Sequence, residues 1–327
     1  MAVVHKESLS FTDLWSLFDR TGFAISRLRS MELAKSGLTI EQASILFILI
    51  NSPQGFATPA QLEEITMRQH HSISVLIKGM SKSGMVSKEK YIDGKRLKIV
   101  PTEAGLTRYL QTTITSIEES FSVLSADEWK QFSEIFTKIL FKSRALLNIK
   151  GSGIIENKNQ LGTCINGISV QGQWALLERT RFACSRIREL ELSTFGVSLE
   201  QTSILNIIQN NRGSITAKEL QDFTMRKQNS ISSLINGMIK LGLLVKEKHA
   251  GEKRFNIKLT PKGQTLLVKL VPYSMVQVFS ALDEAELATL AHLLKKLLER
   301  ARYLLGIPYQ SPFLQCLIDG NTKIIVS

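Results

Sequence analysis

The chain has 327 residues, 43% apolar and 21% charged, a balance that suits two globular domains with real cores and excludes a disordered polyelectrolyte. Forty-one Lys and Arg against 29 Asp and Glu give a formal charge of +12. That surplus favours an anionic partner such as nucleic acid or an anionic membrane surface, the plain alternative being a basic but merely soluble exterior.

The start, MAVVHKESLS, has no apolar core of signal-peptide length, and the apolar run from Ala43 to Ile50 is too short to span a bilayer, so a cytoplasmic protein without a membrane partner is expected. Cys164, Cys184 and Cys316 are odd in number and lack ligand spacing, which argues against a disulfide framework. Cys184 takes the place of Ile25 in an internal repeat and reads as a small hydrophobe. His5, His70, His71, His249 and His292 form no clustered ligand set, so neither a metal nor another cofactor is expected.

The repeat organises everything else. Residues 15–149 lie over 174–307 with one residue deleted near Pro53, which reads as a duplicated and fused gene. The expected division is a first repeat at 1–149, a glycine-containing linker at 150–172, a second repeat at 173–307, and a tail at 308–327 of unassigned role.

In chain order, each copy opens with a long amphipathic helix. Leu14, Leu17, Phe18, Thr21, Ile25 and Leu28 line its apolar face in one copy, and Leu176, Leu177, Thr180, Cys184 and Ile187 in the other. Arg20, Arg27 and Arg29, with Arg179, Arg186 and Arg188, are assigned to the opposite, polar side. A second helix starts at Thr39 or Ser198 and ends in the turns at Asn51–Gly55 and Asn210–Gly213.

Next come two short helices joined by a tight turn, TPAQLEEITMRQHHSISVLIKGMSKSGM from Thr58 and TAKELQDFTMRKQNSISSLINGMIKLGL from Thr216. Ile73, Leu76, Ile77 and Met80, repeated as Ile231, Leu234, Ile235 and Met238, make one apolar stripe. The wheel then turns Arg68, His71, Ser72, Ser74, Val75, Lys78 and Lys82 outward, and Arg226, Asn229, Ser230, Ser232, Ser233, Asn236 and Lys240 in the copy. A face so basic and so rich in hydrogen-bonding groups suggests double-stranded DNA, with His70 and Gln228 at its edge. For His70 and His71 the alternatives are DNA contact, pH sensing, or plain solvation near a helix start.

Two strand-like runs follow, Val86–Lys90 with Leu97–Val100 and Leu244–Lys248 with Phe255–Leu259, around Asp93-Gly94 and Gly251-Glu252. Lys95, Arg96, Lys253 and Arg254 at the hairpin tips could clasp phosphate or enter a minor groove. Thr102 and Thr260 cap a helix, and Ser125/Glu128 and Asp283/Glu286 begin a last one, which together read as two long C-terminal helices available for pairing the halves.

SISVLIKGMSKSGMVSKEK (72–90) with KIVPTEAG (98–105), and SISSLINGMIKLGLLVKEK (230–248) with IKLTPKG (257–263), set in this order of elements, resemble the MarR family of winged-helix transcription regulators. The resemblance implies a mainly α fold with small β-hairpins, two MarR-like repeats forming an intramolecular pseudo-dimer through their first and last helices, and a recognition helix starting near Gln69 and Lys227 rather than Thr66 and Thr224. It also implies an effector crevice between the long helices and each DNA-binding lobe, with no effector identified. The wing departs from the family's Asp-x-Arg: Arg96 and Arg254 stand one position late.

Base reading is assigned to His71, Ser72 and Val75 in the first half and to Asn229, Ser230 and Ser233 in the second, so an imperfect or asymmetric operator is expected. The rival is a winged-helix protein-interaction scaffold. No glycine-rich phosphate loop, nucleophile elbow or HExxH points to an enzyme.

Overall fold

The computed structural model describes residues 10–90, 96–149, 169–211, 213–248 and 255–307. They are mainly helical with two small antiparallel sheets, as the repeat pattern predicts. The first half runs α1 (Phe11–Ala34), α2 (Ile40–Ile50), α3 (Pro59–Thr66), α4 (His70–Lys82), β1 (Val86–Lys90), β2 (Leu97–Pro101), α5 (Glu103–Leu110), α6 (Thr115–Phe121) and α7 (Ala126–Leu146). The second runs α8 (Val170–Ser193), α9 (Leu199–Asn210), β3 (Ser214–Thr216), α10 (Ala217–Thr224), α11 (Gln228–Lys240), β4 (Leu244–Glu247), β5 (Asn256–Leu259), α12 (Pro261–Lys269), α13 (Tyr273–Phe279) and α14 (Glu284–Leu304). No single helix among the described residues is long and apolar enough to cross a membrane.

The compact units do not coincide with the sequence repeats. One comprises the described parts of Thr21–Ala183 together with Lys296–Leu305. The other comprises Cys184–Lys295 with the described parts of Met1–Arg20 and Gly306–Ser327. Each is therefore completed by a stretch of the other repeat.

In the first of these units, Leu46, Leu49, Leu62, Ile73, Ile77, Met80 and Ile99 form the core of the winged-helix lobe. Thr39 and Thr58 begin α2 and α3 with reciprocal capping boxes to Gln42 and Gln61, satisfying helix donors that would otherwise be orphaned. Helix α3 stops at Met67, a buried residue at φ 56, and this left-handed step turns the chain into α4. Thr66 belongs to the end of α3 and Gln69 is the N-cap of α4, the start expected from the family resemblance.

Strands β1 and β2 pair antiparallel, and Ala57 adds a single bridge to Ile99. Thr102 locks the sheet to α5: its N–H donates to Met85 O, its hydroxyl to Gly84 O, and its Oγ1 caps α5 by accepting from the Gly105 N–H. Gly105 is required by close approach, because a Cβ there would lie 2.1 Å from Met85 O. The same unit includes the start of α8. Buried Gln173 donates to Ser133 Oγ on α7, Thr180 Oγ1 donates to Phe136 O at 3.4 Å, and Gln171 donates to the Tyr109 hydroxyl. Helix α8 thus begins earlier than the boundary at 172, while residues 150–168 of the expected linker lie outside the described residues.

The second unit repeats the lobe, with Leu205, Leu220, Ile231, Ile235, Met238 and Ile257 in its core. Met225 makes the left-handed step at φ 54, and Lys227 is the N-cap of α11. Here the bridge is a full strand, giving the order β3-β5-β4. Thr260 and Gly263 repeat the lock, with a Gly263 Cβ falling 2.3 Å from Leu243 O. Phe11 and Phe18 of α1 lie against Phe279, at ring separations of 6.2 and 6.5 Å.

Two expectations need correcting. The region after the wing holds two short helices and one long helix in each half, α5–α6–α7 and α12–α13–α14, rather than two long ones. In addition, Arg20, Arg29 and Arg188 are buried rather than on a wet polar face. Arg29 pairs with Glu32 at 2.6 Å and donates to Thr113 O, and Arg188 pairs with Glu191 and donates to Leu270 O at 2.7 Å. Ion pairing and carbonyl acceptors offset the desolvation of a guanidinium, so an arginine stem can cross an apolar seam that periodicity alone assigns to aliphatic residues.

Candidate nucleic-acid interface

Helices α4 and α11 hold the same residues inward and different ones outward. Ile73, Ile77 and Met80 are buried in α4, as are Ile231, Ile235 and Met238 in α11. This i, i+4, i+7 stripe fixes the rotation of each helix on its core. Facing outward on α4 are His71, Ser72, Ser74, Val75, Lys78 and Lys82, all exposed, with Val75 57% exposed despite being apolar. On α11 the exposed set is Gln228, Asn229, Ser230, Ser232, Ser233, Asn236 and Lys240.

The starts of these two helices share a second feature. Helices α2, α3, α5 and α7 each take a side-chain cap from Thr or Ser, whereas the N-caps of α4 and α11, Gln69 and Lys227, like those of the seven-residue α6 and α13, make no side-chain cap hydrogen bond. First-turn N–H groups not capped in this way carry the positive end of the helix dipole and suit a phosphate oxygen.

The remaining sequence-selected residues divide by location. His70 is exposed at the first turn of α4, its Nδ1 2.5 Å from Glu63 Oε1 of α3. Arg68 and Arg226 stand in the turns before the helices and are half-buried. Arg68 lies 3.3 Å from Glu41 and over the Phe182 ring at 5.1 Å, and Arg226 lies 3.5 Å from Glu200. Both guanidiniums bind the turn back to α2 or α9. Arg96 is exposed at the start of β2, and Lys95, Lys253 and Arg254 lie outside the described residues.

The second wing carries residues that a count of basic tips misses. Lys246 on β4 donates to Asn236 Oδ1 of α11 at 2.9 Å, and Lys248 sits over Phe255, itself 52% exposed, at 5.7 Å. Both wings bear a cross-strand pair, Lys98 with Glu89 at 2.9 Å in the first and Lys258 with Glu247 at 2.6 Å in the second. Hydrogen bonds from Lys98, opposed by slight desolvation, hold the Glu89 carboxyl below its ordinary range.

A cavity of about 170 Å³ opens between α1, α2, α5 and α8 in the unit that holds α4. Its wall includes Arg29, Arg68, Arg179 and Arg181 against Glu41 and Glu178, together with Trp174, Phe47 and Tyr109. Burial, then the charge of Arg144, pulls the Arg179 guanidinium down to about 10, so it stays protonated near neutrality. Burial pushes the Tyr109 phenol up despite the Gln171 hydrogen bond. Surplus cation beside aromatic surface is suited to a small organic anion.

A family model described as the MarR family matches residues 36–96 and again 195–254, covering α2 to the wing in the first half and α9 to the wing in the second. No curated protein matches the chain. Among the described residues no group of three or more His, Cys, Asp or Glu could hold a metal ion.

Proposed function

We propose, from the two matches to the MarR family of winged-helix DNA-binding regulators, that one molecule reads an asymmetric two-half-site operator in double-stranded DNA, with α4 and α11 as its two recognition helices. The observation that carries this reading is the pairing of identical inward stripes with unlike outward faces on two helices whose N-caps lack side-chain caps. Phosphate affinity comes from the basic rims and helix starts, and base choice from His71, Ser72 and Val75 in one half and Asn229, Ser230 and Ser233 in the other. Asn229 suits bidentate contact with adenine, and Val75 suits a thymine methyl. The two repeats act as an intramolecular pseudo-dimer, supported by the hydrogen bonds of Gln173 and Thr180 to α7. Fusion holds the second half at an effective concentration on the order of millimolar, so operator binding does not wait for chain association.

The cavity lined by Arg179, Arg181 and Trp174 is the place for an effector. Its lining changes in the other repeat, where for example Arg181, Phe47 and Tyr109 correspond to Gly22, Asn206 and Leu267. The two halves therefore respond unequally to the same ligand.

Selection from a random duplex pool at fixed salt, followed by the mass of the complex, tests the proposal. One chain per site and two unlike half-sites are expected, and a perfect palindrome or an obligatory two-chain complex overturns it. The full-length Lys78→Ala/Lys240→Ala/Asn229→Ala variant leaves Arg68 and Arg226 in their turns and should lose retention of the selected duplex. Unchanged retention would favour the protein-scaffold alternative.

A further inference from the structure

Helices α1 and α8 meet at Gly22 and Arg181. Laying Trp15 over Trp174, Arg20 over Arg179 and Ser26 over Ser185 puts Gly22 over Arg181, so the contact joins one repeat position to its own equivalent. Residues meet their own copies where a two-fold axis passes between like elements. In a pair of identical subunits the two side chains would be the same. Here one is absent and the other is the longest cation available.

Gly22 is buried in the middle of α1 with an ordinary helical backbone, so conformation does not call for glycine. Space does: a Cβ at Gly22 would lie 2.2 Å from Arg181 Cδ and 2.9 Å from Nε. The arginine is held in that position. Its Nε donates to Glu178 Oε1 at 3.1 Å, the same oxygen accepts from Ser26 Oγ at 2.8 Å, and Ser26 Oγ also bonds Gly22 O at 2.7 Å. The arginine stem packs on bare glycine backbone while its carboxylate partner is bonded to the helix that bears the glycine.

Resting on the tandem pairing reading above, we propose that this crossing is a heterologous lock: the Gly22 face accepts the Arg181 helix of the same chain and rejects a second copy of itself. Two first halves would set glycine against glycine and leave a void. Two second halves would force guanidinium on guanidinium. The lock keeps one α4 and one α11 in every assembled reading head, which matters only because those helices carry different side chains.

Four full-length proteins test it by thermal melting: wild type, Gly22→Arg, Arg181→Gly, and the double exchange. Gly22→Arg should lower the midpoint by roughly 5 °C or more. The exchange should recover at least half of that loss, because position 22 lies three residues after Asp19 as Arg181 lies three after Glu178. An exchange no more stable than Gly22→Arg overturns the lock. Should Gly22→Arg fail to fold, Gly22→Ala gives a sign test. It should lower the midpoint beside Arg181 and raise it in the Arg181→Gly background, where alanine's helix preference acts unopposed. An equal rise in both backgrounds overturns the proposal. Light scattering on the wild type separates the two failures. A two-chain mass overturns the single-chain pairing on which the lock rests, whereas a single-chain mass without recovery in the exchange overturns the lock alone.

Discussion

Lys246 Nζ donates to Asn236 Oδ1 at 2.9 Å, tying the first wing strand of the second half to α11. The equivalent positions in the first half are Lys88 and Lys78, two cations that cannot make this bond. Asn236→Lys should therefore release Lys246 and add a charge to the α11 face. The expected result is tighter non-specific binding and a log K against log salt slope steeper by about 1, read by fluorescence anisotropy across a salt series. An unchanged slope would place α11 away from phosphate.

Reader identity should transfer with side chains, since the inward stripe is shared. His70→Gln, His71→Asn, Val75→Ser and Lys78→Asn together give the first half the outward set of the second. Random-pool selection with this variant should return a more symmetric site than the wild type does. Retention of the wild-type asymmetry would mean that other residues choose the bases.

Glu32 offers a pH-dependent measurement. Burial raises its carboxyl, but hydrogen bonds from Ser116, Thr113, Arg29 and the Ser116 N–H together outweigh burial and hold it below its ordinary value of 4.5. A depressed folded value means that the stabilisation is full above 4.5 and lost as pH falls through the folded value. Glu32→Gln should cost about 2–3 kcal/mol at neutral pH, since charge-assisted bonds to a buried arginine are lost. The gap between variant and wild type should narrow as pH falls below 4.5, and urea midpoints at neutral and at acid pH read it directly.

Gly105 and Gly263 should respond to alanine differently from Gly79 and Gly237. A Cβ at either of the first pair meets a backbone carbonyl, whereas it meets nothing within 4 Å at the second pair. Alanine at Gly105 or Gly263 is expected to destabilise by about 1–3 kcal/mol. At Gly79 or Gly237, inside α4 or α11, it should stabilise by about 0.5–1 kcal/mol. Equal effects at all four sites would remove the Thr-x-x-Gly lock from the account of how the wing is held.

What the sequence made legible was local. Thr39, Thr58, Ser125 and their repeats act over three residues, and the stripe of Ile73, Ile77 and Met80 repeats within one helix, so capping and periodicity find them. Arg29 and Arg188 were not legible as buried, because their partners Thr113 and Leu270 lie far along the chain and an arginine in an amphipathic pattern defaults to water. Strand β3 is three residues long, and in the first half it shrinks to the lone bridge at Ala57, too short for alternation to register. Helix α6 hid for the same reason, with seven residues and no side-chain cap at Ile114. The exposed residues of α4 and α11 were legible as a face, but the Lys246 bond to Asn236 depends on a hairpin meeting a helix and has no linear signal.

The division of α1 between units bears on how the chain is born. The unit holding Thr21–Ala183 has most of its parts in one continuous stretch, and a ribosome delivers that stretch early. The other needs Phe11 and Phe18 to wait for Phe279, nearly the whole length of the chain later. Pairing across such a separation is slow to close. Synthesis therefore favours a sequence of events in which the lobe bearing α4 is formed first and the lobe bearing α11 matures only after translation is almost done.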